Sequence, residues 1–210
     1  MHIHLDPVGG IAGDMFVAAM LDAFPDQVDG VLQAVRTAGL GDDIALNLLD
    51  FDDGVLTGKR FEVRQCAPKM DAKAQPEQEQ PGAFVRHRHP HDQRHDQRQH
   101  DHSHHGHDHD HHAHTHWAHL RQQLSACHLT ETVKRHAIGI FTELAWAEAK
   151  VHGKEIGDVT FHEVGNWDSI ADIVGAAAII DALSIASWSV GSLPIGRGRV
   201  KTAHGELPVP

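Results

Sequence analysis

Cysteine is nearly absent. Cys66 and Cys127 are the only two among 210 residues and lie in different segments with no CxxC spacing, so neither a disulfide framework nor a thiolate zinc site is expected. Long hydrophobic runs are missing as well: the longest apolar stretch, near Ile173 to Ile180, is too short to span a bilayer. The opening MHIHLDPVGG has no basic stretch leading into an apolar one, so no secretory signal is expected and the chain reads as cytoplasmic, with no membrane partner. Positive charge is scarce. The net charge is −11 with histidine counted as neutral, which argues against nucleic acid as the main partner.

Histidine is what the chain has in excess. Fifteen of its 22 histidines fall between His87 and His119, in a run ending HDHSHHGHDHDHHAHTHWAH. The run has almost no large apolar residues, so it cannot bury enough surface to offset the entropy of ordering it, and it reads as a disordered segment. Neutral imidazole is a good ligand for nickel, zinc, cobalt and copper. The alternating spacing lets rings such as His102, His104, His105, His107, His109, His111, His112, His114 and His116 converge on one ion. Asp92, Asp96, Asp101, Asp108 and Asp110 add oxygen donors. A merely solubilising linker is the alternative. As a metal binder, the tract suits supply of an ion better than catalysis.

The remaining residues, about 160, are enough for one compact core. The expected class is α/β, a single mixed α/β domain interrupted by the His-rich insertion. Its parts are residues 1–66, the insertion 67–116, and 117–210. Ile3 and Leu5 mark a strand, and a glycine-rich turn from Pro7 to Gly13 leads into a helix over about Asp14 to Phe24, which Pro25 stops. Val28, Val31, Leu32 and Val35 recur at helical spacing, with Gly39 placed as a cap. Alternation through Ile44, Leu46 and Leu48 and again at Phe61 and Val63, around an Asp53-Gly54 turn, predicts a hairpin. A helix is expected from near Thr130 to Gly153. Another spans Asp168 to Leu183; it is apolar on most sides and therefore central. A strand from Ile185 to Val190 follows.

Three constellations could carry chemistry. In Asp6-Pro7-Val8-Gly9-Gly10-Ile11-Ala12-Gly13-Asp14-Met15, glycines such as Gly10 and Gly13 between strand and helix allow close approach of a ligand, and the helix start favours an anion. The spacing matches neither a Walker A loop nor a dinucleotide fingerprint. Asp6 and Asp14 could instead hold a divalent cation, or Asp14 could be a plain helix cap. The second is Phe161 to Asp172. There His162 and Glu163 precede Asp168 and Asp172, which lie one turn apart on one helix face, a plausible mixed nitrogen–oxygen metal site. It is not an HExxH motif, and a capping residue plus a core histidine is the bland alternative. The third, Gly196 to Gly205, gathers Arg197, Arg199, Lys201 and His204. Arginine's planar fork suits phosphate or carboxylate, although a solvated hairpin tip would look the same.

Four stretches, LDPVGGIAGDMF, ELAWAEAKVHG, FHEVGNWDSIADIVGAA and LPIGRGRVKTAHGELPVP, resemble, in family order, the nickel insertion proteins of nickel-pincer nucleotide biosynthesis (the LarC family). The resemblance implies a chelatase, of the lyase class, that inserts Ni(II) into a pyridinium mononucleotide bearing two thiocarboxylates, the precursor of the lactate racemase cofactor. It further implies coupling to CTP with Mn or Mg. It makes Asp6, Asp14, His162, Glu163, Asp168 and Asp172 the leading candidates for metal, catalytic or nucleotide work, with His152 and His204 secondary and Arg197 and Arg199 facing substrate charge. Asn166-Trp167 departs from the small and aliphatic residues usual there. Family proteins are about twice this long, and their C-terminal half is associated with CTP. The chain is therefore expected to be an N-terminal piece, with a separate C-terminal half and lactate racemase as partners. A nickel-storage or metallochaperone module without turnover is the competing class.

Overall fold

The computed structural model describes residues 1–66, 115–162, 164, 166–202 and 205–209. The segments before and after the histidine tract fall into one compact unit. In chain order the elements are β1 (His2–Leu5), α1 (Gly13–Ala23), α2 (Val28–Arg36), β2 (Ile44–Asp52), β3 (Thr57–Gln65), β4 (Thr115–His116), α3 (Trp117–Ala126) and α4 (Glu131–His152). They continue with β5 (Thr160–Phe161), α5 (Trp167–Leu183), β6 (Ser187–Val190), β7 (Gly198–Thr202) and β8 (Gly205–Val209). The class is mixed α/β, as the periodicities imply. Its strands form four separate pairs among the described residues rather than one continuous sheet.

α5 is the centre of this unit's core. Ile170, Ala171, Val174, Ala177, Ala178 and Ile179 are buried around much of its circumference, which is why its sequence shows no polar face. α1 presents Val17, Ala18, Met20 and Leu21 to the core, and α2 presents Val31 and Val35. α4 contributes a stripe through Val133, Ala137, Phe141, Ala145 and Ala149, at steps of four. Small residues let the helices approach closely: a Cβ on Gly175 would come within 3.1 Å of a Val17 methyl. At the far end Trp117, Phe141 and Phe161 form an aromatic cluster with centroids 6.2–6.5 Å apart, tying α3 and β5 to α4.

Local signals in the chain account for the ends of these elements. Thr130 caps α4 by accepting the Val133 N–H at 3.2 Å, and Gly153 closes it with φ 61°. That is the left-handed conformation glycine adopts without penalty. Pro25 opens a short 3₁₀ turn, Pro25–Gln27, between α1 and α2. The Asp53-Gly54 turn joins β2 to β3, Gly54 having φ 83°, with the Asp53 carboxylate accepting the N–H groups of Val55 and Leu56.

Some boundaries differ from expectation. α2 ends at Arg36, and Gly39, with φ 79°, lies beyond its cap at Thr37. Asp14 is not the cap of α1: Ala12 occupies that position, with no side-chain cap. Thr115 and His116 form β4, which pairs with β5, just before the segment expected from Trp117. The parallel pairing of β1 with β6 brings the start of the chain beside residues 187–190. Among the described residues no helix is long and apolar enough to cross a membrane.

Candidate metal and substrate site

The glycine turn after β1 delivers Asp14 to the first turn of α1, and the start of α5 delivers Asp168 and Asp172. All three line one cavity of about 340 Å³, closed on another side by Arg60, Phe61, Glu62 and Val63 of β3. The approach of α1 to α5 is tight. A Cβ on Gly13 would lie 2.6 Å from the Asp172 Cβ and 2.8 Å from its Oδ2, so the absence of a side chain at residue 13 is what admits the carboxylate. Burial pushes the Asp172 carboxyl up to about 7, and the charges of Asp14 and Asp168 push in the same direction, against a hydrogen bond from the Asp14 N–H. A group in this state exchanges a proton near neutrality, or trades it for a cation.

The second sequence constellation is divided by the fold. Asp168 and Asp172 face Asp14 and β3, while the His162 ring, just after β5, lies 6.1 Å from that of His152. His152 Nε2 in turn lies 3.2 Å from Glu148 Oε2, one turn back on α4. A carboxylate, an imidazole and a second imidazole thus succeed one another. Asp6 lines a different cavity, of about 480 Å³, with His4, Gly10 and the apolar side of α1, so the structure does not bring Asp6 and Asp14 into one pocket. Gly10 has φ 127° with open space where a Cβ would be; its position requires conformational freedom, not room.

The cationic loop before and within β7 is a hairpin strand pair with β8. Arg199 is committed there, its Nε 3.1 Å from Glu206 Oε1 and its Nη2 donating to the Glu206 carbonyl, and Arg197 is exposed on the approach. His116 belongs to β4, its Nδ1 3.1 Å from Thr160 Oγ1 across the pair with β5. Glu163, His204 and the tract imidazoles His102, His104, His105, His107, His109, His111, His112 and His114 lie outside the described residues. Among the described residues no three histidine, cysteine, aspartate or glutamate side chains are grouped to hold a metal ion.

Arg60 and Glu62 of β3, and Glu148 beside His152, were not singled out from the sequence as parts of a site, whereas His152 was a secondary candidate. The alternation of β3 shows which residues share a face. It does not show that this face closes over α1 and α5. The spacing of Glu148 and His152, one helical turn, was the available signal for the second pair.

These features define an α/β protein with acidic side chains gathered at a helix–helix junction. The sequence model described as nickel insertion protein matches residues 3–210, and the chain belongs to that family. A Pelobacter propionicus protein named for nickel insertion is 34% identical over 209 residues, 99% of this chain and 42% of its own length. One from Geobacter sulfurreducens is 63% identical over 82 residues, 39% of this chain and 21% of the relative. A Clostridium kluyveri protein named pyridinium-3,5-bisthiocarboxylic acid mononucleotide nickel insertion protein is 45% identical over 87 residues, 41% of this chain and 22% of the relative. Relatives matched along the whole chain are longer, and the chain spans 40–43% of their length. No solved structure matches.

Proposed function

We propose that this chain is the nickel-handling and substrate-holding part of a cytoplasmic chelatase of the lyase class. Its reaction places Ni(II) in pyridinium-3,5-bisthiocarboxylic acid mononucleotide, giving the pincer cofactor used by lactate racemase. The observation that carries the reading is the cavity where Asp14, Asp168 and Asp172, drawn from two of the family-like motifs, come together under β3. Their hard oxygens are of the kind Mg or Mn prefers, but among the described residues they are not grouped to hold such an ion by themselves, and a bound phosphate would have to complete the site. Nickel, the cargo, is better matched by imidazole nitrogen and by the two sulfurs of the substrate. In this reading residues 67–116 collect nickel, as an insertion between the two parts, 1–66 and 117–210, of one α/β domain.

When nickel joins the pyridinium ring, the ring C–H bond breaks, its electron pair goes to the carbon–nickel bond and its proton must leave. His162 accepts that proton in this account, with Glu163 beside it in sequence and His152 and Glu148 behind it to orient the ring and stabilise the imidazolium. Asp168, exposed at the start of α5, faces arriving substrate. The two cavities do not fit CTP: Arg60 is the one lysine or arginine lining them, and Arg199 is engaged with Glu206. The nucleotide site is assigned to the additional length of the family. His162→Gln should lower the rate of insertion by about 10²–10⁴-fold, the usual worth of a general base; full activity in that variant rejects the assignment.

The histidine run between His87 and His119 favours a second reading, a storage or metallochaperone module that passes nickel on without turnover of its own. Turnover by the chain without added protein eliminates it.

A further inference from the structure

The parallel strand pair carries a polar face that the proposed insertion chemistry does not use. β1 and β6 pair His2 with Ser187 and His4 with Ser189, and residues two apart on a strand share a face. His2 Nδ1 is 2.8 Å from Ser187 Oγ, and His2 Nε2 is 2.9 Å from Ser189 Oγ. His4 Nδ1 is 2.8 Å from that same Ser189 oxygen. Ring nitrogens from alternate residues of one strand therefore converge on a single hydroxyl. When Ser187 accepts the Nδ1 proton of His2, the Nε2 lone pair of that ring points at Ser189. Should His4 keep its proton on Nε2, its Nδ1 lone pair points there too. One hydroxyl proton satisfies only one of these lone pairs; a divalent cation satisfies both.

We infer that His2 and His4 form a His-x-His clip for a divalent transition ion of the nickel or zinc type. The ion replaces the contact of both rings with Ser189. Ser187 keeps its bond to His2 and fixes the tautomer, as an outer partner of a metal-bound imidazole does. Two protein ligands leave the other positions to water or an incoming donor, which makes this an exchange site rather than a closed structural one. His2, His4 and Ser187 are exposed, so the ion enters without opening the fold. The inference is independent of the proposed chelatase reaction, since it concerns binding alone.

The test is calorimetric titration of NiCl₂ into the full-length chain in which the tract histidines from His87 to His114 are replaced by asparagine. His2→Ala and His4→Ala in that background should each remove one nickel equivalent without changing the melting of the metal-free protein. Ser187→Ala should weaken that equivalent about 10-fold. Ser189→Ala should retain or tighten it, because the competing hydroxyl is gone, whereas a role confined to hydrogen bonding predicts no nickel effect at all. A parent that binds no nickel, or an equivalent that survives loss of both imidazoles, overturns the clip. So does loss of nickel in a folded Ser189→Ala protein.

Discussion

Asp172 sets a pH dependence that can be read in stability as well as activity. Its carboxyl is raised from an ordinary 3.8 to about 7 in the folded chain, so between those values the native state holds a proton that the unfolded state has lost. The stabilisation is fully present below about pH 4 and is lost as pH rises through 7. Asp172→Asn keeps the shape and an acceptor for the Asp14 N–H but cannot ionise. Relative to the parent, it should gain on the order of 1–2 kcal/mol between pH 4 and pH 8, a figure reduced for the partial solvent access of the group. Urea denaturation at the two pH values measures this, and equal differences at both would contradict it. Mn at pH 8 should stabilise the parent and leave the asparagine variant unchanged, as followed by melting temperature.

At the level of elements, the close crossing of α1 and α5 depends on Gly13. Gly13→Ala would force a methyl against the Asp172 Cβ, which is fixed to the α5 backbone and cannot swing aside. A loss of about 1–3 kcal/mol is expected, with the carboxylate cavity disturbed; an unaltered denaturation midpoint would show that the helices are free to separate. Thr130→Ala, which removes the cap of α4, should cost about 1 kcal/mol by the same measurement. The helices that dominate the core were legible because their periodicity is long and their stops are explicit: Thr130 and Gly153 around α4, and the unbroken apolar run of α5. α3 was not, because only Trp117, Leu120 and Leu124 are buried in a short polar segment next to the histidine tract. The site was half legible. Asp168 and Asp172 share a helix face by local spacing alone, but their union with Asp14, and the turn of His162 towards His152, are products of tertiary packing that no spacing encodes.

Across the described residues, two sets of potential donors are separated in space. Hard carboxylate oxygens gather under β3, while imidazoles occupy the start of the chain and the end of α4. That division is the one the proposed function calls for, with nickel as cargo suited to the nitrogen donors. It also explains why so little of the chemistry is concentrated in one motif: each donor set comes from segments distant in sequence and joined through α5 and the β1–β6 pair. The most direct test is a nickel insertion assay. The chain, the bisthiocarboxylate mononucleotide, NiCl₂, CTP and MgCl₂ or MnCl₂ are combined, and nickel in the small-molecule product is followed by mass spectrometry. Product formed by the parent and sharply reduced by Asp172→Asn is the predicted result. Nickel bound by the protein but never transferred to the substrate, or transfer indifferent to Asp172, would contradict the account.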